Sequence, residues 1–235
     1  MLIDPATLAG DLPRLEEIEK ASLRLVAQAI YDFREIAYNI FLNESDLVAD
    51  IGEDITREAL DRIGVSRVDE RLYGKIDYKR ARYVFHPEYA IKQALLVDSK
   101  AEKSTGRDTA TLQTAQTSLR IRHIRRGLPT DEIGTLPQVI AARYLTTTIF
   151  VKYNYTEAAP RTYALDDITV AALPSGMLQA KYNPDANNTI WRTGRNADTR
   201  GEAFRVRLVF ARLKAIERWR VQLIPIAPIP YTWDE

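Results

Sequence analysis

Hydrophobic residues in the first sixty positions recur every three or four residues, which is the spacing of one face of an α-helix. The first series follows Asp11, a residue type that often caps helix N-termini, and predicts one long amphipathic helix. Its apolar positions are Leu15, Ile18, Val26, Ile30, Phe33, Ala37 and Phe41. A second helix is predicted between a cap at Ser45 and a stop at Gly64, with apolar positions at Leu47, Val48, Ile51, Ile55 and Ala59.

Beyond residue 64 the pattern changes to alternation and to β-branched residues. Strands are predicted over residues 74–85, 92–103 and 146–157. The Thr- and Gln-rich segment 104–118 suggests a loop followed by a helix, and residues 137–145 suggest a further helix. Helices flanking a mixed central sheet indicate one α/β domain over residues 1–235. Within it we expect N-terminal helices over about 11–63, a core over about 64–220 and an extended, proline-spaced C-terminal tail.

Composition narrows the class of protein. A hydrophobic content of 46% over 235 residues is enough for the core of one large domain. The absence of cysteine excludes disulfides and thiolate metal sites. The acidic N-terminal sequence does not have the pattern of a signal peptide, and no apolar run is long enough for a membrane span. We therefore expect a soluble, cytoplasmic protein with no membrane partner.

The net charge of +1 conceals a strong segregation of charge along the chain. Residues 1–62 carry fourteen acidic against six basic side chains, whereas residues 63–235 carry 27 basic against 18 acidic. Four arginines fall within TSLRIRHIRRG, residues 117–127. This segregation favours a basic face for a polyanion, with an arginine-rich solvated surface as the alternative.

Two predicted strands carry carboxylates where apolar side chains are expected. Asp77 lies in the first, and Asp98 lies in the second, two residues before Lys100. Side chains two apart on a strand share a face, so two carboxylates and one ammonium can meet at one point. Oxygen ligands of this kind suit Mg²⁺, and a lysine can assist the attacking water, as in PD-(D/E)xK nucleases. The alternative is a strand-edge acid beside an exposed lysine.

Several linked blocks of sequence are more specific than this spacing. The segments GEDITREAL, GKIDYKRAR, ALLVDSKA, GRDT, KYNPD and RGEAFRVRLVFARLK resemble the SfiI-like type II restriction endonucleases in order and spacing. The resemblance implies a PD-(D/E)xK restriction-endonuclease-like fold in a bacterial or archaeal cell. It also implies Mg²⁺-dependent cleavage of double-stranded DNA at an interrupted GC-rich palindrome by a homodimer or homotetramer. The catalytic acids and lysine of the family then fall on Asp77, Asp98 and Lys100.

Candidate DNA-reading residues follow from the alternation in FRVRLVF. Arg205 and Arg207 share one face of this predicted strand, and each guanidinium can bind the O6 and N7 atoms of a guanine. Arg107 is expected to reach the same groove, and Lys103 is expected to bind a phosphate. The alternative for the arginine pair is a solvated face or phosphate contacts.

Three further points remain open at the level of sequence. Glu53 and Asp54 on the second helix either support the metal or are surface acids. The chain is either a restriction enzyme, another PD-(D/E)xK nuclease of repair or recombination, or a DNA-binding module without catalysis. A palindromic site requires two-fold symmetry, and the acidic helical segment 11–42 is the expected place for subunit contacts.

Overall fold

Helices cover the N-terminal part of the chain in a computed structural model that describes residues 1–44, 48–64, 81–193 and 205–235. The described α-helices are α1 (Leu12–Asn43), α2 (Val48–Arg62), α3 (Gln179–Tyr182) and α4 (Phe210–Ile216). The Asp11 side chain accepts a hydrogen bond from the Arg14 backbone N–H, which confirms the predicted cap. Ser45, the predicted cap of the second helix, lies outside the described residues. In the described ranges, no helix combines the length and the apolar character needed to cross a membrane.

Eleven strands are described. They are β1 (Arg82–His86), β2 (Ile91–Lys103), β3 (Thr109–Gln113), β4 (Arg120–Arg125), β5 (Leu128–Ile133), β6 (Val139–Ile140), β7 (Tyr144–Ala159), β8 (Thr162–Leu173), β9 (Trp191–Thr193), β10 (Arg205–Val209) and β11 (Val221–Pro225). The main sheet has the order β1-β2-β7-β8-β11, and β6 also pairs with β7. Among the described strands of this sheet, only β2 and β7 run parallel, so the sheet is mixed, as the sequence predicted.

Each face of the main sheet has its own cover. Helices α1 and α2 pack on the face that presents Leu95, Ile149 and Val151. A three-stranded sheet of order β3-β10-β9 packs on the opposite face, against Phe150 and Ala171. Because both of its faces are covered, β7 is buried over its first eleven residues.

Two predicted helices are absent from the described structure, and both predictions were wrong. Segment 104–118 contains β3 between two 3₁₀ turns, with Ala110 and Leu112 buried by pairing with the distant strand β10. Segment 137–145 contains β6 and the start of β7, joined by a turn with Ala141 and Ala142 at positive φ. Local composition favoured helices, but a pairing partner far away in sequence determined the strands.

The C-terminal tail is also more structured than the prediction of an extended segment. Residues Val221–Pro225 form the edge strand β11, paired with β8. The following residues fold back, and Gln222 bonds both the Tyr231 hydroxyl and the Asp234 backbone. Tyr231 and Trp233 thereby pack against the helix-side core.

A buried ion pair joins the first helix to the C-terminal part of the chain. Glu19 of α1 and Arg220 are both fully buried, with 2.6 Å between Glu19 Oε2 and the guanidinium. Arg220 Nε also donates to the Tyr182 hydroxyl, and Glu19 Oε1 accepts from the Ser175 N–H. These bonds compensate the desolvation of both charges, so loss of one partner leaves the other buried and uncompensated.

We predict that Arg220→Met destabilises the fold by about 3–5 kcal/mol, because it strands the Glu19 carboxylate in the core. The measurement is urea unfolding. The matched control is Arg218→Met, two residues away, whose exposed guanidinium pairs with Asp234; it should change stability by less than about 1 kcal/mol. The double variant Arg220→Met with Glu19→Met should recover most of the loss. Equal losses for the control and for Arg220→Met would contradict the prediction.

Candidate active site

The two described members of the predicted catalytic group lie on one face of β2. Asp98 is 6% exposed and Lys100 is half-buried. Their parallel partners on β7 are Phe150 and Lys152, so the four positions form two neighbouring rows on the face opposite the helices. Asp77, the predicted second carboxylate, lies outside the described residues.

Lys100 extends toward the three-stranded sheet. Its ammonium lies 6.0 Å from the centre of the Phe150 ring and donates a 2.6 Å hydrogen bond to the Thr111 carbonyl of β3. The Lys100 ammonium is therefore held by a backbone oxygen of the three-stranded sheet, while the Lys100 side chain projects from β2, the strand that also carries Asp98.

Helix α2 supports β2 from behind. Gly52 brings the helix against the strand so closely that an added Cβ would lie 3.1 Å from Ala101 N. Ser99 donates to the Thr56 hydroxyl, which in turn bonds the Tyr153 hydroxyl of β7 at 2.8 Å. Burial raises the pKa of Tyr153, which keeps this phenol neutral and able to hydrogen-bond. The backbone carrying Asp98 and Lys100 is thus fixed on its reverse side.

The predicted phosphate and base contacts near the end of β2 are both paired within the chain. Lys103 is exposed and lies 2.8 Å from Glu157; their hydrogen bond raises the pKa of Lys103 and lowers the pKa of Glu157. Arg107 lies 3.2 Å from Asp167, with its own side chain half exposed. Both side chains are therefore available at the surface. To bind an external anion, each must give up its ion-pair partner within the chain.

Arg205 and Arg207 project from the same side of β10, and the predicted alternation is confirmed by the burial of Val206 and Leu208. The same alternation predicts that Phe204 also faces the core, and this residue lies outside the described residues. Arg207 Nε makes no hydrogen bond to the described parts of the chain.

Arg192 of β9 is directly opposite Arg207, and opposed strand residues project to one side. We call this surface, composed of Arg192, Arg205 and Arg207, the arginine face. Like charges directly opposite one another are unfavourable, so this arrangement suits an anionic partner.

Arg192 and Lys152 are the residues at this site that the sequence reasoning missed. Arg192 follows a buried tryptophan in a short strand whose pairing is not evident from sequence. Lys152 left a visible signal, because a lysine in the middle of the apolar run IFVKYNY is unusual unless its charge has a buried partner. Asp54 is exposed and pairs with Arg57 on the same helix, which favours the surface interpretation for that acid.

Metal-binding capacity at this site depends on carboxylate oxygens. Among the residues that the structure describes, no group of three or more His, Cys, Asp or Glu side chains has the geometry of a metal site. Asp98 contributes a buried carboxylate on the face of Lys100, and oxygen donors of this type fit a hard divalent cation.

Comparison with known proteins gives a consistent result. The family model for the type II restriction enzyme SfiI matches residues 33–224. The type II restriction enzyme SfiI of Streptomyces fimbriatus is 34% identical over 226 residues, spanning 90% of this chain and 84% of that protein.

Solved structures agree with the sequence match. The tetrameric restriction endonuclease SfiI bound to cognate DNA superposes with a TM-score of 0.80 at 31% identity, over 94% of this chain and 88% of that one. The restriction endonuclease BglI bound to its DNA recognition sequence has a TM-score of 0.74 at 18% identity over 95% of each chain, which shows a shared fold. As its sequence predicted, the chain belongs to the SfiI family of type II restriction enzymes, which are site-specific DNA endonucleases.

Proposed function

We propose that this restriction endonuclease hydrolyses double-stranded DNA with Mg²⁺ at an interrupted, GC-rich palindromic site. The observation that carries the proposal is the shared face of Asp98 and Lys100 on β2, in a chain of the SfiI family. The solved relative is tetrameric and bound to cognate DNA, which supports duplex DNA and further copies of this chain as partners.

Asp98, together with Asp77, is the proposed ligand set for Mg²⁺. When bound there, the ion stabilises charge on the phosphate and lowers the pKa of a coordinated water. Asp98 is well suited to hold a cation because its carboxylate is buried and is supported from behind by α2. Lys100 supplies a positive charge on the same face, where it can orient the attacking water or offset charge that develops on the phosphate.

The proposed DNA-reading residues are Arg107, Arg205 and Arg207, with Lys103 on a phosphate. Each guanidinium can bind two acceptors of one guanine, which is the reason for preferring a GC-rich site. Arg192 adds a fourth guanidinium beside Arg207, suited to a phosphate or a base edge. A nuclease of repair or recombination needs no such base-reading group, and a DNA-binding module needs no Asp98–Lys100 pair.

For catalysis, we predict that Asp98→Ala abolishes plasmid cleavage in Mg²⁺ while specific binding in Ca²⁺ is retained. Lys100→Ala should lower the cleavage rate by about 10²-fold or more. The control is Asp54→Ala, which removes an exposed carboxylate on α2 and should cleave at the wild-type rate. Wild-type rates for Asp98→Ala or Lys100→Ala would refute the assignment. A plasmid digest by the wild type should give discrete fragments; a smear would indicate an unspecific nuclease.

For recognition, we predict that Arg207→Ala costs about 1–3 kcal/mol in binding the cognate duplex and almost nothing on random DNA. Lys103→Ala should weaken both alike, because a phosphate contact carries no sequence information. Titrations in Ca²⁺ at one fixed salt concentration measure the two affinities. Equal losses of Arg207→Ala on both duplexes would make β10 a phosphate-binding strand.

For assembly, we predict a dimer or tetramer at micromolar concentration, because a palindromic site requires copies related by a two-fold axis. Light scattering with and without cognate duplex measures the mass. The predicted contact region is the helical segment 11–42, and charge reversal at an exposed position such as Glu35 should lower the mass. A monomer unaffected by DNA would contradict the assembly.

A further inference from the structure

A second lysine lies beside Lys100 and is completely buried. Lys152 of β7 is 0% exposed, and its ammonium has three acceptors for its three protons. It lies 2.8 Å from Glu102 Oε2 of β2, and it donates to the carbonyls of Gly106 and Thr109. A buried charge is costly unless such bonds are complete, so this arrangement fixes all three partners relative to β7.

The carbonyls that Lys152 binds belong to the segment that carries Arg107. Gly106 precedes Arg107, and Thr109 begins β3 two residues after it. The same segment is anchored by two neighbouring acids of β8. Asp166 accepts a hydrogen bond from Ser104, and Asp167 pairs with Arg107. Arg107 is therefore held at two points. The Lys152 ammonium binds backbone carbonyls on either side of Arg107, and the Asp167 carboxylate binds its guanidinium.

Lys152 and Lys100 both donate hydrogen bonds to β3, a strand of the three-stranded sheet. They are register partners on β7 and β2, and they donate to alternate carbonyls of β3, those of Thr109 and Thr111. Thr111 of β3 is in turn the register partner of Arg207 on β10. The two ammonium groups thus attach the sheet that carries the arginine face to two neighbouring strands of the main sheet: Lys100 to β2, which carries Asp98, and Lys152 to β7.

We propose that Lys152 is a positioning residue that sets the place of Arg107 and β3 relative to Lys100, and so makes cleavage depend on correct reading of the site. The proposal rests on the roles proposed above for Lys100, Arg107 and Arg207. Lys152 itself is fully buried, and its donors are taken up by Glu102, Gly106 and Thr109. It acts through the two carbonyls, and a displacement of about 1 Å at a reacting group can cost about 10²-fold in rate.

The test is the Lys152→Met variant, which keeps a side chain of similar length and removes all three N–H donors of the ammonium. Single-turnover cleavage in Mg²⁺ and binding in Ca²⁺ are measured on the cognate duplex and on a duplex with one base pair changed. We expect the cognate rate to fall about 10²-fold and the discrimination between the duplexes to fall at least about tenfold. Affinity for random DNA should stay within about twofold, because the surface arginines and lysines remain.

Two controls separate positioning from general stability. Phe41→Leu removes volume from the helix side of the main sheet and should lower thermal stability without lowering discrimination. Glu102→Gln keeps an acceptor for Lys152 and leaves both carbonyl bonds in place, so its discrimination should remain within about twofold of wild type. Wild-type discrimination in Lys152→Met, or an equal loss in Phe41→Leu, would overturn the proposal.

A further variant covers the case in which Lys152→Met does not fold. The double variant Lys152→Met with Glu102→Met removes both charges and leaves an apolar pair, which cores tolerate far better than a single buried charge. It still lacks the donors to Gly106 and Thr109, so the loss of discrimination should persist. Full discrimination in this folded variant would overturn the proposal. Failure of the wild type to cut any defined sequence would instead refute the proposed function.

Discussion

The parallel pairing of β2 with β7 is the constraint on which the site depends. Its register sets Asp98 beside Phe150, and Lys100 beside Lys152. This register places charged side chains on an interior face of the main sheet, where the neighbouring side chains are apolar. Such a row is stable only if each charge finds partners, and the partners here are backbone carbonyls of another sheet and a carboxylate of β2. The need to satisfy these charges therefore organises the contact between the two sheets.

The two faces of the main sheet have different tasks. The helical face is apolar and closely packed, and Gly52, Ser99 and Thr56 fix α2 directly behind the strand of Asp98. The opposite face holds the lysines and, beyond them, the arginine face. Helix α2 and the later part of α1 pack on the helical face, whereas the first part of α1 packs in the same cluster as the arginine-bearing strand β10.

Internal ion pairs hold two of the candidate DNA contacts, Lys103 and Arg107. Asp167 holds Arg107, and Asn154 in turn donates to Asp167 at 2.6 Å. Pre-ordered guanidinium groups lose less conformational entropy on binding than mobile ones, at the cost of exchanging one anionic partner for another. Because the internal carboxylate partner must be replaced, a phosphate or a well-placed guanine is favoured over a weak contact. This replacement is a physical basis for selectivity.

The sequence by itself determined the elements whose pattern is local. The first helix with its Asp11 cap, the strands β2 and β7, and the alternation of Arg205 and Arg207 all follow from periods of 3.6 and 2. The linked motifs identified the family. Segments 104–118 and 137–145 were not predictable in this way, because their strands exist through pairing with β10 and β7. Their own composition does not encode these distant partners.

Only the tertiary structure decided which charges meet. The positions of Lys100 and Lys152 are 52 residues apart in sequence, and nothing in either segment specifies the register that makes them neighbours. The opposition of Arg192 and Arg207 likewise exists only because β9 pairs with β10. Sequence periodicity fixes the face on which a side chain lies, whereas its partners depend on strand order and register. These are set by how the whole chain buries its apolar surface.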